Sequence, residues 1–173
     1  MEFNLVVIHE PGIDNYSWVR NYVRQLLGDR VEYVSSYQSV ILYRVDDPRN
    51  AAKVIKESLA GRSTPIIKVI PADYVVDPDI TKVSEVVKEL ASKIPPNETF
   101  RITLEGHLFR TDEEGFVSEL GTLESIRELA KYIDRPVDLE NPQWVVYVRV
   151  VKYHKVMKKA VVSLLKPEDL KRL

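Results

Sequence analysis

Trp144-Val-Val-Tyr-Val-Arg-Val-Val151 carries apolar residues on both of its alternating faces, with Arg149 as the single charge. A strand of this kind belongs in the middle of a sheet covered on two sides. Beyond it, Tyr153-His154 predicts a turn into residues 156–164, where Lys158 and Ala160 share one face and Lys159 and Val161 the other. That more polar pattern predicts an edge strand, and Pro167 to Leu173 predicts one helical turn. Working back from Trp144, Leu123, Ile126, Leu129, Ala130 and Ile133 recur at helical spacing behind Thr122 as cap. Residues 105–121 are polar and read as irregular. Thr99 to Leu104 is a strand. Before it, a helix opened by Pro78-Asp79 carries Val83, Val86, Val87, Leu90, Ala91 and Ile94 and stops at Pro95-Pro96. Residues 72–79 read as a connector.

The first 70 residues have a different rhythm. Phe3 to Ile8 is a strand, and Trp18, Val19, Tyr22, Val23, Leu26 and Leu27 form a helical stripe with Asp14 or Asn15 as cap and Gly28 as stop. Strands at about 31–35 and 39–45 flank a turn at Ser35-Ser36-Tyr37-Gln38. A helix capped by Asp47, with Pro48 in its first turn, buries Ala51, Val54, Ile55 and Leu59 and ends at Gly61. Ile66 to Ile70 closes the set. The order strand, helix, strand, strand, helix, strand is that of a ferredoxin-like domain. The expected class is therefore α+β, with a ferredoxin-like module over residues 1–75 followed by an α/β module over 76–173.

The chain has 173 residues, 45% hydrophobic and 29% charged, which is an ordinary folded composition. It contains no cysteine, so disulfides, thiol nucleophiles and thiolate-bound zinc or iron–sulfur clusters are excluded. The start lacks a basic segment and a long apolar run, and no stretch approaches the ~20 apolar residues of a membrane span. A cytoplasmic protein with no membrane association is expected. Little else signals catalysis. His9, His107 and His154 are too far apart to show ligand spacing, and His9 beside Glu10-Pro11 is expected at the surface or as a cap. The six glycines are scattered singly, without a phosphate loop. Ser118 lacks the glycine flanks of a nucleophile elbow, and Asp112-Glu113-Glu114 reads as solvated loop charge. No catalytic residue, metal site or cofactor is expected.

The formal net charge of −1 hides an asymmetry. Residues 149–173 hold eight Lys and Arg against two acids, a local excess of +6. Arg149, Lys152, Lys155, Lys158 and Lys159 surround the final hairpin. They are expected either to shield an edge strand or to form one surface directed at phosphates. Tyr153 at the turn is placed to stack on a base, whereas Trp144 reads as core.

Several of these segments resemble one family. Thr99-Phe-Arg-Ile-Thr103, the helix Ile126-Arg-Glu-Leu-Ala-Lys-Tyr-Ile133, the run Val137-Asp-Leu-Glu-Asn-Pro142 and the strand from Trp144 are similar to the THUMP domain of RNA-modifying enzymes. The match covers about residues 79–165, and Val137–Pro142 followed by the alternating strand is its most specific part. THUMP domains commonly follow a small ferredoxin-like domain. The two modules together resemble the accessory subunit of tRNA cytidine (N4-acetylcytidine) acetylation, which works with a separate acetyltransferase. The resemblance implies a non-catalytic tRNA-binding protein that recognises the acceptor stem and 3′ end and presents the tRNA to that or another RNA-modifying enzyme. Arg101 matches the family's strand position. Glu105-Gly106 departs from the basic residues usual after that strand, and His107 and Arg110 are the nearest substitutes. Asn141 is expected to cap the turn that Pro142 fixes. A rival from another class is a small-ligand-binding or scaffold protein that uses its ferredoxin-like sheet.

Overall fold

The structure is a computed structural model of the chain and describes residues 1–154 and 156–173. It divides into two compact units, Met1–Ala72 with Lys152–Met157 and Glu168–Leu173, and Asp73–Val151 with Lys158–Pro167. The architecture is mixed α+β.

In the first unit the order is β1 (Leu5–His9), α1 (Ile13–Leu27), β2 (Val31–Tyr37), β3 (Val40–Val45), α2 (Pro48–Leu59) and β4 (Ile66–Pro71). The sheet runs β2-β3-β1-β4, with every pairing antiparallel. Alternation on β1 aims Leu5 and Val7 at the helices, where they meet Val19 and Val23 of α1 and Ile55 and Leu59 of α2. Asp47 caps α2 as expected, its Oδ1 accepting from the Asn50 N–H at 3.0 Å. Gly28 ends α1.

Three local expectations fail in this unit. Helix α1 starts behind Gly12 without a side-chain cap; Asp14 and Asn15 lie inside its first turn, and Asn15 Nδ2 donates back to the Pro11 carbonyl at 2.9 Å. The β2–β3 hairpin turns at Gln38-Ser39 rather than at Ser35–Gln38, because a bulge between Tyr33 and Ser35 absorbs one residue and lets β2 run on to Tyr37. His9 is not a surface residue. It is 1% exposed on β1, with Nδ1 2.7 Å from the Glu10 carbonyl oxygen, and burial pushes its imidazole below the usual range.

The second unit contains β5 (Tyr74–Val76), α3 (Ile80–Ala91), β6 (Phe100–Glu105), β7 (Phe109–Thr111), β8 (Val117–Glu119), α4 (Thr122–Ala130), β9 (Trp144–Tyr153) and β10 (Met157–Leu165). Its main sheet has the order β5-β10-β9-β6, with β6 and β9 parallel; β7 and β8 form a separate ribbon. Val83, Val87 and Leu90 of α3 and Leu129 of α4 pack on Ile102, Val146, Val148, Ala160 and Val162 of the sheet. Asp79 caps α3, its Oδ1 accepting from the N–H groups of Thr81 and Lys82.

The central placement of β9 agrees with its two-sided apolar pattern. β10, however, is an interior strand, buried from Ala160 to Leu165. The edge beside it is β5, from the segment expected to be a connector, and it pairs with Ala160, Val161 and Val162. Residues 105–121 are also more ordered than their polarity implied. Asp112 Oδ1 accepts from the N–H groups of Glu114 and Phe116, both at 2.9 Å, and so closes the β7–β8 turn. Helix α4 is preceded by Gly121 rather than capped by Thr122, which leaves Leu123 in the first turn and 59% exposed instead of inward.

Among the described residues no helix is long and apolar enough to cross a membrane. Gly106 leaves β6 at φ +95°, and a Cβ there would lie 2.9 Å from Val150 Cβ on β9. Gly106→Ala therefore combines backbone strain with a clash, and should lower unfolding free energy by about 1–3 kcal/mol in a denaturant titration.

Candidate nucleic-acid interface

The sequence-predicted residues fall into three local groups. The first lies on β6 and the crossover that follows it. Arg101 donates from Nη1 to the Leu139 carbonyl at 2.9 Å, and among the described residues its buried Nε has no partner. Beside it the Phe100 N–H donates to the Pro136 carbonyl and the Asp138 N–H donates to the Phe100 carbonyl, both at 3.0 Å. Arg101 thus braces the Val137–Pro142 run to the sheet. Asp138, not Asn141, caps that turn, its Oδ1 accepting from the N–H groups of Glu140 and Asn141. His107 Nδ1 stands 3.3 Å from Glu119, and Arg110 lies 4.0 Å from Glu128. Glu128 also holds Lys131 at 2.9 Å, and that hydrogen bond draws its carboxyl below the usual range. Each of these side chains already has a protein partner.

The second group lies on β9 and β10 in the second unit. Lys158 and Lys159 point to opposite faces of β10 by strand alternation. Lys159 is ion-paired with Asp77 at 2.9 Å, and Lys82 of α3 reaches the other oxygen of the same carboxylate at 2.8 Å. Lys82 was missed in the sequence, because a lone lysine in a helix's first turn carries no motif. Lys158 is exposed and lies 5.5 Å from the centroid of the Phe109 ring on β7. The Phe109 N–H donates to the Pro78 carbonyl at 2.8 Å, so the 77–79 segment, the start of α3 and the β7 ribbon meet beside these lysines. Arg149 donates to the Tyr147 hydroxyl at 3.1 Å. Among the described residues neither Lys158 nor Arg149 has a carboxylate within 4.0 Å. Trp144 is half-buried against the core, its Nε1 donating to Glu98 at 2.8 Å and the Lys166 Nζ 3.7 Å from its ring centroid.

The third group belongs to the first unit. Lys152 Nζ lies 4.3 Å from the Tyr37 ring centroid and donates to its hydroxyl at 3.3 Å. Tyr153 packs at 5.9 Å from Phe3 and 4.0 Å from His154, which leaves it half-buried rather than open at a turn tip. Lys155 lies outside the described residues. Among the described residues no cluster of three or more His, Cys, Asp or Glu is arranged to hold a metal ion.

No protein-family model and no curated protein matches the sequence. Solved structures do. The PH1313 protein of Pyrococcus horikoshii Ot3 aligns with a TM-score of 0.65 and 20% identity over 94% of this chain and 55% of its own. A 4-thiouridine synthetase, solved as an RNA complex with bound ATP, gives 0.58 and 15% over 95% of this chain and 42% of its own. TrmN from Thermus thermophilus gives 0.56 and 13% over 97% and 46%. The likeness is one of fold. The chain spans about half the length of these proteins.

The hydrogen bonds from Lys82 and Lys159 hold the Asp77 carboxyl down to about 2, below its ordinary 3.8. A folded-state value below the unfolded one contributes stability that is fully present above the unfolded value and lost as pH falls through the folded one. Asp77→Asn should therefore cost stability at neutral pH, and the gap from the parent chain should close between about pH 4 and pH 2 in urea titrations. A gap independent of pH would contradict this.

Proposed function

We propose that this chain is a non-catalytic tRNA-binding protein that presents tRNA to a separate RNA-modifying enzyme, most specifically a cytidine acetyltransferase. In this reading the first unit is a ferredoxin-like module, in keeping with its β2-β3-β1-β4 order. The second is a THUMP module directed at the acceptor stem and 3′ end. The observation that carries the proposal is the shared fold over 95% of this chain with a 4-thiouridine synthetase that was solved bound to RNA.

The local chemistry supports phosphate contact by a small set of side chains. Among the described residues Lys158 and Arg149 have no carboxylate within 4.0 Å, whereas Lys82 and Lys159 share Asp77, and Asp79 and Glu85 also act on Lys82. Contacts of this type orient a nucleic acid without reading its sequence, which suits an acceptor region common to all tRNAs. Arg101 is assigned a bracing role instead, because its guanidinium already holds Leu139.

Gel-shift titration with total tRNA at two salt concentrations tests the reading. Contact with roughly 4–5 phosphates gives a log–log salt slope of about −3 to −4, at ~0.7–0.9 per phosphate. Lys158→Glu should weaken binding for every tRNA alike and flatten that slope by about one. Absence of binding at low salt would remove the proposal. Pull-down from native extract, probed for an acetyltransferase, tests the accessory role.

A further inference from the structure

The first unit contains a polar cleft that the tRNA reading does not use. It has a volume of about 300 Å³ and lies between one face of α1 and the strands β2 and β3. Tyr16, Arg20 and Arg24 follow one another at i, i+4 and i+8 on α1, so they line one side together. Tyr33 and Tyr43, directly paired across β2 and β3, form the other side, with ring centroids 6.4 Å apart at 77°.

Arg20 is held before any ligand arrives. Its guanidinium carbon lies 3.6 Å from the Tyr33 ring centroid, and Nη1 donates to the Tyr16 hydroxyl at 2.8 Å. The Tyr33 and Ser36 hydroxyls are 2.8 Å apart, which fixes the stacking ring in turn. One donor of Arg20 is thus occupied, while the other edge of the planar fork stays available. Arg24 is held by Asn21 Oδ1 at 2.9 Å. Among the described residues neither guanidinium has a carboxylate within 4.0 Å, and no acidic side chain lines the cleft. Two positive charges therefore face a concave space with no anion of the protein's own.

The second observation is Tyr43. It is 2% exposed, lines the cleft, and among the described residues its hydroxyl has no hydrogen-bond partner. A buried hydroxyl without a partner is costly, and a phenylalanine would fill the same space without that cost. Burial pushes its phenol well above the ordinary tyrosine range, so the group stays a neutral donor.

From this constellation we propose that the Tyr16–Arg20–Tyr43 cleft binds a phosphate ester of nucleotide size. Arg20 and Arg24 supply the charge, and Tyr43 supplies a buried hydroxyl that is without a partner among the described residues. A tetrahedral oxyanion accepts from several directions at once, which matches donors arriving from a helix and a sheet. The phosphate comes either from a free nucleotide or from an RNA strand, and the experiment separates the two.

Isothermal titration of the full chain would use AMP, adenosine, inorganic phosphate and a short single-stranded RNA. AMP or the RNA should bind, and adenosine, which lacks the phosphate, should not. AMP that binds and displaces the RNA identifies a free-nucleotide site; RNA binding without AMP binding identifies a backbone phosphate. Arg20→Ala should weaken the bound ligand about tenfold or more, and Arg20→Lys should not restore it. Tyr43→Phe should also weaken binding while leaving the unfolding midpoint unchanged or raised, which shows that the variant folds. Equal binding of AMP and adenosine, no binding of any phosphate compound, or unchanged affinity in the Arg20 variants would overturn the assignment. The site does not depend on the tRNA proposal: AMP binding in a chain that fails the tRNA gel shift leaves it standing.

Discussion

The parallel pairing of β6 with β9 constrains the whole second unit. Parallel neighbours cannot be joined by a tight turn, so the chain must cross over a face of the sheet before it returns. Here the crossover runs from Gly106 to Gln143 and carries both the β7–β8 ribbon and α4. Leu129 of α4 closes the core against α3. The ribbon places Phe109 beside Lys158 and hydrogen-bonds to the segment that carries Asp77. Of the charged side chains of the unit, the crossover carries His107, Arg110, Glu119 and Glu128.

Electrostatics in this protein is local. Within their own surroundings the C-terminal cations are held by different partners: Lys159 shares Asp77 with Lys82, Lys152 lies on Tyr37, and Lys166 lies on Trp144. Ion pairs at the surface add little stability on their own. Their effect is to fix where long side chains sit, and that decides which cations remain available to a ligand. The Tyr16–Arg20–Tyr33 arrangement applies the same principle with aromatic faces in place of carboxylates.

Regular periodicity made most elements legible in advance. Val19, Val23, Ile55, Leu59, Val83, Val87 and Leu90 are buried where helical spacing placed them, and the two-sided apolar pattern of Trp144–Val151 identified a central strand. The misses have physical causes. β5 has three residues, too few for alternation to show. β10 begins with Met157, Lys158 and Lys159, which suggest an edge, yet pairing with β5 starts only at Ala160. The β7–β8 turn is closed by a carboxylate that reads as solvated charge in the sequence. Of the candidate site, individual cations were legible but their partners were not, since Asp77 and Lys159 are 82 positions apart. The Tyr16–Arg20–Tyr43 cleft left no signal, because tyrosines and arginines on an amphipathic helix and hairpin match ordinary surface and core patterns.

The run from Val137 to Pro142 is held by backbone pairing at Phe100, by the Arg101 guanidinium and by the Asp138 carboxylate. These contacts make it a mechanical joint, fastening irregular backbone to a strand without a helix or ladder of its own. The run therefore records how the polypeptide is fastened together. Nothing in that joint specifies cargo. Side chains on the outer surface can be replaced without loosening it.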